Sequence, residues 1–193
     1  MRPTLIIFAK EPRPGQVKTR LARDIGKIAA AWWYRHQTAR LLRRLGQDPR
    51  WRTVLAVSPD TAARTSRVWP SGIHRMGQGR GDLGQRMAHA MRAFPRDPVV
   101  LIGSDIPGVQ AHHITRAFDG LGSGDAVVGP ATDGGFWLIG LRRGSMPAPG
   151  LFREVRWSGP HALADTLASM NGLRVRFADE LADVDRAKDL VES

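Results

Sequence analysis

Five short aliphatic and β-branched runs, separated by stretches of helical periodicity, constrain this 193-residue chain more than any other feature. They are Thr4 to Ala9, Thr53 to Val57, Val99 to Gly103, Ala126 to Gly129 and Phe136 to Leu141. Apolar strands that alternate with helices predict an α/β domain with a mainly parallel central sheet covered on both faces. From Ile25 to Leu45, residues Ala31, Tyr34, Thr38, Leu41, Leu42 and Leu45 recur at three- and four-residue steps, which predicts a helix ended by Gly46 and Pro49. Further helices are expected over Asp82 to Phe94, Ala111 to Phe118, Pro160 to Met170 and Asp185 to Val191. The length suits one domain over residues 1–193, able to bury roughly 70% of the surface its unfolded chain would expose. No repeat or low-complexity tract divides it.

The absence of cysteine excludes a disulfide framework, a thiolate metal site and a cysteine nucleophile, and agrees with a cytoplasmic protein. Lys10 and Glu11 interrupt the first apolar run, which is too short for a signal-peptide core or a membrane span. The net charge of +11 attracts phosphates and other anions. Arginine supplies 25 of the 29 basic residues, scattered along the whole chain, so no dedicated nucleic-acid surface is expected. Nothing in the pattern specifies an oligomeric state.

Glycine and proline clusters sit where the strands end, at Glu11 to Gly15, Gly77 to Gly84, Ile106 to Gly108, Asp133 to Gly135 and Ser145 to Gly150. In an open α/β sheet, ligands bind in the crevice beyond the carboxyl ends of the strands, so several of these loops could meet at one site. The first loop runs from Glu11 to Arg20 between a strand and a helix. There Gly15 lets backbone N–H groups approach an anion, while Lys18 and Arg20 can neutralise phosphoryl oxygens. A Walker A loop needs glycine immediately before its lysine; Val17 occupies that place, and the P-loop reading is rejected.

The run Val99 to Gly103 delivers Ser104 and Asp105 at a strand end. A carboxylate so placed can hold Mg²⁺ or Mn²⁺ beside a diphosphate, because these hard ions combine one or two carboxylates with phosphate oxygens. It could equally cap a turn or the following helix. Asp133, or Asp183 and Asp185, could complete a metal shell; each alone is also a common turn or N-cap residue. Gln78, in the glycine loop that includes Gly81, carries the donor and acceptor that reading a nucleobase edge requires, although such a stretch is also an ordinary flexible loop. His112 and His113 lack metal-ligand spacing, and Ser104 and Ser158 lack a recognisable base partner. Trp32, Trp33 and Trp137 read as packing residues.

Six ordered blocks carry a resemblance that spans nearly the whole chain: Phe8 to Leu21, Gln78 to Met87, Ile102 to Pro107, Pro130 to Gly140, Trp157-Ser158 before Asp165-Thr166-Leu167, and Asp183-Val184-Asp185 before Asp189-Leu190. Together they resemble the bacterial glycosyltransferase-like family named for arsenosugar biosynthesis. This likeness implies the three-layer, Rossmann-like fold of nucleotide-diphospho-sugar transferases, with a mixed but mainly parallel sheet. It also implies kinship with molybdenum-cofactor and 2-phospholactate guanylyltransferases. By the same likeness Lys18 and Arg20 are phosphate ligands, Asp105 the metal-binding aspartate and Gln78 a base contact; Gly15, Gly81 and Asp133, on the same loops, are further candidate nucleotide contacts. The last block of such proteins usually continues Thr-Pro-Glu-Asp; here it reads Arg186-Ala187-Lys188-Asp189, which bears on a metal role for Asp185.

The expected partners are therefore a nucleotide or nucleotide-sugar and a small acceptor, with Mg²⁺ or Mn²⁺ as cofactor and Lys18, Arg20 and Asp105 as the catalytic groups. Glycosyl transfer from a nucleoside-diphosphate sugar leads. Nucleotidyl transfer with pyrophosphate release is the alternative on the same site, and a basic nucleic-acid-binding protein is the alternative from another class.

Overall fold

The computed structural model describes residues 2–144 and 150–190. Most of the expected Ser145 to Gly150 cluster, and Val191 at the end of the last expected helix, lie outside them. Seven strands form one sheet: β1 (Thr4–Lys10), β2 (Arg52–Ser58), β3 (His74–Gly77), β4 (Val99–Gly103), β5 (Ala126–Pro130), β6 (Phe136–Leu141) and β7 (Val175–Phe177). The order is β3-β2-β1-β4-β6-β5-β7. Only β6 runs against its neighbours; every other pairing is parallel. This is the mixed, mainly parallel sheet expected.

Strand alternation splits the core into two layers. Leu5, Ile7, Val100, Ile102 and Leu138 face one side, where Leu41 and Leu45 of α2 (Lys27–Leu45) and Ile114 and Ala117 of α5 (Ala111–Ser123) cover them. Ile6, Phe8, Val99, Leu101 and Ile139 face the other, against Met87 and Met91 of α4 (Leu83–Arg92) and Leu163 and Leu167 of α6 (Ala162–Ser169). Continuous apolar strands are thus buried on both faces, as helices flanking a parallel sheet require. Two short helices complete the set, α1 (Leu21–Ile25) and α3 (Ala62–Thr65).

Three expectations change. The helix expected from Ile25 starts at Lys27, because Gly26 at φ 89° breaks the chain between α1 and α2. Strands β3 and β7 have no aliphatic run; they are the sheet's edges and bury little. The last expected helix is a single 3-10 turn over Ala187–Leu190, and Asp185 does not cap it. Asp24 takes the N–H of Ala187 at the start of that turn at 3.0 Å, and Asp189, within it, accepts the backbone N–H groups of Asp185 at 2.9 Å and Arg186 at 2.7 Å. The carboxyl ends of β1, β3, β4 and β5 and the start of β6 share one edge of the sheet, and the cleft opens there.

Candidate functional site

Val17 anchors the first loop by packing with Ala31 and Tyr34 of α2. The next residue, Lys18, adopts φ 46°, in the left-handed region that costs a non-glycine residue about 1–3 kcal/mol unless its surroundings hold it there. They do. Its ammonium lies 2.7 Å from Asp105 Oδ2, 2.9 Å from Asp185 Oδ1 and 3.8 Å from Asp183 Oδ2, with the side chain only 6% exposed. Burial alone would lower the Lys18 pKa; attraction to Asp105 and Asp185 outweighs it and raises the pKa above the ordinary lysine value. Arg20 grips the other oxygen of Asp185 at 2.6 Å and the backbone oxygen of Ser158 at 3.3 Å. Ser158 also has a positive φ, 65°, so both unusual backbones flank this one point.

The carboxylates arrive from two distant segments. Asp105 follows β4, whose end is tied to β1 through Tyr34: the phenol oxygen lies 2.7 Å from Ser104 Oγ and accepts the Lys10 N–H at 2.9 Å. Burial pushes the Tyr34 phenol pKa up and keeps it neutral. Between Asp183 and Asp185, Val184 is buried with Leu21 and Ala30, and its N–H donates to the Asp105 carbonyl at 3.4 Å. Alternation around that apolar anchor turns both aspartates toward Lys18. Burial, reinforced by Asp105, Asp185 and Asp133 and opposed by Lys18, pushes the Asp183 carboxyl up to about 6. Burial would also raise Asp185, but Lys18 and Arg20 hold it below the usual carboxylate range.

Three carboxylates thus surround two cations. Among the described residues, no three His, Cys, Asp or Glu side chains already form a metal-ligating group. The donor set nevertheless fits a hard divalent ion. Asp105 and Asp185 bring oxygens to one point within 3 Å of a single cationic atom, and a displaced Lys18 would leave that point to an ion.

Gln78 has surroundings that the sequence did not foretell. It is 3% exposed, and its amide nitrogen donates to the carbonyls of Ala9 at 3.1 Å and Ala56 at 3.0 Å. Two carbonyl acceptors fix which end of the amide is nitrogen, so Oε1 must face the other way. There it accepts from Arg86 Nη1 at 3.4 Å, while Arg86 Nε donates to the Asp82 carbonyl at 3.3 Å. The donors expected to read a base are spent on clamping β1 to β2, and Gln78 instead orients Arg86. Arg86 pairs with no carboxylate among the described residues; its place in the block Gln78 to Met87 was the one sequence signal for it. Gly81 supports the neighbouring helix start: a Cβ there would overlap Gln85 Oε1, which completes a capping box with Asp82. Gly15, at φ 77°, makes an exposed turn outside the cleft. Asp133 is exposed and accepts the Gly135 N–H at 2.8 Å, a turn that still faces the cleft.

The cleft has two lobes that meet at Arg20, Asp105 and Ser158. The larger, of 590 Å³, is bordered by Lys10, Lys18, Arg20 and Arg86. The smaller, of 350 Å³, is walled by Phe8, Leu101, Phe136, Trp137 and Trp157 and rimmed by Asp105, Asp133 and Asp183.

A bacterial family described as "uncharacterized protein conserved in bacteria" (DUF2064) matches residues 41–159. The chain belongs to this family. The matched stretch holds Gln78, Arg86, Asp105 and Asp133, whereas Lys18, Arg20, Asp183 and Asp185 lie on either side of it. A solved structure from Desulfovibrio desulfuricans G20, provisionally named a nucleotide-diphospho-sugar transferase, is 32% identical with a TM-score of 0.83, over 96% of this chain and 83% of that one. A CMP:2-keto-3-deoxy-manno-octonic acid synthetase complexed with CTP shares the fold at 12% identity, with a TM-score of 0.61 over 100% of this chain and 96% of that one. So does Rv0371c of Mycobacterium tuberculosis H37Rv in complex with manganese, at 17% identity with a TM-score of 0.57 over 100% and 97%. No curated protein matches the chain. The chain therefore has the fold of nucleotide-diphospho-sugar transferases, and no helix among its described residues is long and apolar enough to cross a membrane.

Proposed function

We propose that the chain is a metal-assisted transferase that holds a nucleoside-diphosphate sugar with its phosphates at the junction of the two lobes and passes the sugar to a small acceptor. The observation that carries this reading is the convergence of Lys18, Arg20, Asp105 and Asp185 at that junction. Charge decides how the site must work. With three carboxylates around Lys18 and Arg20, the junction alone does not attract a diphosphate. Mg²⁺ or Mn²⁺ held by Asp105 and Asp185 would supply the neutralisation of phosphate charge. Arg86, oriented by Gln78 and paired with no carboxylate among the described residues, grips phosphoryl oxygens from the opposite wall, and its fork suits two oxygens at once. Lys18 and Arg20, freed in part from Asp185, hold the departing diphosphate.

In the transfer, the acceptor hydroxyl oxygen bonds to the anomeric carbon. The bond from that carbon to the diphosphate oxygen breaks with its electron pair, and the hydroxyl proton leaves to solvent. Negative charge grows on the diphosphate in the transition state, so fixed cations there lower the barrier rather than only tightening binding. The resemblance to the arsenosugar-type family and the provisional name of the Desulfovibrio protein support the same reading.

Nucleotidyl transfer is a second reading, favoured by one observation: four cations border the larger lobe, enough for a triphosphate. Calorimetric titration with UDP- and GDP-sugars, with and without Mn²⁺, tests the first reading. Binding should require the metal and disappear in Asp105→Ala. Metal-independent binding, or none, would overturn it. Pyrophosphate release from any of the four NTPs with an acceptor would replace it with the second.

A further inference from the structure

We infer that the smaller lobe is the acceptor site and that it takes an uncharged, hydroxyl-bearing ring and turns phosphorylated compounds away. The inference rests on the transferase reading for the word acceptor; the ligand chemistry comes from the lobe itself.

The two lobes share a junction and differ in what surrounds it. The larger has four cations against Asp82, Asp105 and Asp185, and Asp82 is occupied in capping α4. The smaller has one cation, Arg20, against Asp105, Asp133 and Asp183. Arg20 is already held by Asp185, and Asp105 by Lys18. Asp133 and Asp183 are left to face the space, and Lys18 stands 3.8 Å from Asp183. A divalent ion on Asp105 and Asp185 would leave Asp133 uncompensated. A phosphate entering this lobe meets carboxylates and, among the described residues, a single arginine, which Asp185 holds in the free protein and the donor's diphosphate engages in the loaded one, whereas hydroxyl groups find acceptors for their protons.

The walls select for an apolar face. Trp157 packs edge-on to Phe136 at 6.3 Å and against Phe152 at 6.1 Å, so neighbouring rings hold it in place. Phe8, Leu83, Met87 and Leu101 complete that side. Aromatic walls beside carboxylate acceptors match a ring with C–H groups on its faces and hydroxyls at its edge. The volume of 350 Å³ lies at the small end of the roughly 300–1,000 Å³ typical of ligand pockets, which suits a small acceptor.

The test is calorimetric titration of the full chain, in UDP and Mn²⁺, with phenyl glycosides of glucose, galactose and mannose and with their 6-phosphates. At least one neutral glycoside should bind at least tenfold more tightly than its own phosphate. Asp133→Asn should narrow that gap, and Trp157→Ala should abolish binding of the neutral member. Phe136→Leu should weaken it severalfold and stands in if the tryptophan variant does not fold. Phosphates that bind as well as the neutral compounds, or no binding by any glycoside, overturn the inference. Neutral glycosides that bind while no UDP binds would instead remove the nucleotide reading and leave the lobe's selectivity standing.

Discussion

Two ion-pair sites in this molecule use similar groups at similar distances for different ends. At the surface, Arg156 embraces Asp165 through Nε and Nη2, both at 2.9 Å, and a backbone N–H adds a third bond at 3.0 Å. These hydrogen bonds hold the Asp165 carboxyl far below the usual carboxylate range. The partners are nine residues apart and the arginine side chain is 65% exposed, so the pair closes a local turn in water. In the cleft, Lys18 is 6% exposed and reaches Asp185 across 167 residues of sequence. The surface pair is balanced, one charge for one. The cleft cluster has more carboxylate than cation around a buried ammonium, an arrangement that folding alone does not favour and that a bound cation would complete. Pair distances do not distinguish the two sites; the burial of the ammonium and the charge imbalance around it do.

Removing the ammonium should break the comparison most forcefully. Lys18→Met leaves Asp105, Asp183 and Asp185 facing one another, and taking one partner from a buried pair costs about 3–5 kcal/mol. The partial exposure of the carboxylates places the loss near about 3 kcal/mol, read by urea denaturation without metal. Millimolar Mn²⁺ should then restore the variant much more than it stabilises the wild type. Equal stabilisation of both proteins would mean that Lys18 does not compete with the ion for these carboxylates, and stabilisation of neither would mean that they do not bind it.

A smaller effect concerns the way Lys18 and Arg20 share one carboxylate. Lys18 holds Oδ1 of Asp185 and Arg20 holds Oδ2, so the two cations are coupled through Asp185 before any phosphate arrives. In a double-mutant cycle of Lys18→Met and Arg20→Met, the double variant should lose less nucleotide affinity than the sum of the singles, with a coupling of about 0.5–3 kcal/mol. Arg20→Lys keeps the charge but cannot span Asp185 and the Ser158 carbonyl together, and should also weaken binding. Additive losses would place the two cations on separate tasks.

The parts of the site that were legible in the sequence were those carried by local signals. The run Val99 to Gly103 placed Asp105 at a strand end, and the strand-to-helix setting of the first loop brought Lys18 and Arg20 into view. The ion pairing between them was not legible, because it depends on the C-terminal segment crossing back to α1, where Val184 is buried. The surroundings of Gln78 were hidden for a similar reason. A glutamine in a glycine loop reads as solvent-facing, and only the tertiary structure shows its amide buried against two strand carbonyls. Edge strands β3 and β7 were missed because His74-Arg75-Met76-Gly77 and Val175-Arg176-Phe177 bury too little surface to need an apolar run.

Asp183 offers a test of imbalance through pH. Its carboxyl releases its proton near pH 6 in the folded protein, against an ordinary value of 3.8. Between those values the folded state binds more protons than the unfolded state, so the Asp183 contribution to stability falls as pH rises from about 4 to 6. Asp183→Asn should remove that part of the pH dependence. Above pH 6 it should be more stable than wild type by about 1–2 kcal/mol, allowing for solvent screening of a partly exposed group. At pH 4 the two proteins should be nearly equal. A variant that is destabilised at every pH would show that Asp183 is held by favourable contacts and not by crowding.

The smallest effect is expected at the surface pair, and it is the control that gives the others their meaning. Arg156→Gln removes a cation as well bonded as Arg20, and the lowered Asp165 carboxyl implies a contribution that is lost as pH falls below the ordinary carboxylate value. Near neutral pH, however, the guanidinium stands largely in water, where side-chain entropy and salt offset most of the attraction. Raising the ionic strength shortens the screening length from about 10 Å at 0.1 M to about 3 Å at 1 M, which should remove what difference remains between variant and wild type. Nucleotide affinity should be unchanged at either salt concentration. A loss of affinity in Arg156→Gln comparable to that in Arg20→Lys would mean that the neighbouring Trp157-Ser158 segment transmits the surface pair into the cleft, and the contrast between a structural and a functional ion pair would then fail at the point where the chain passes from one to the other.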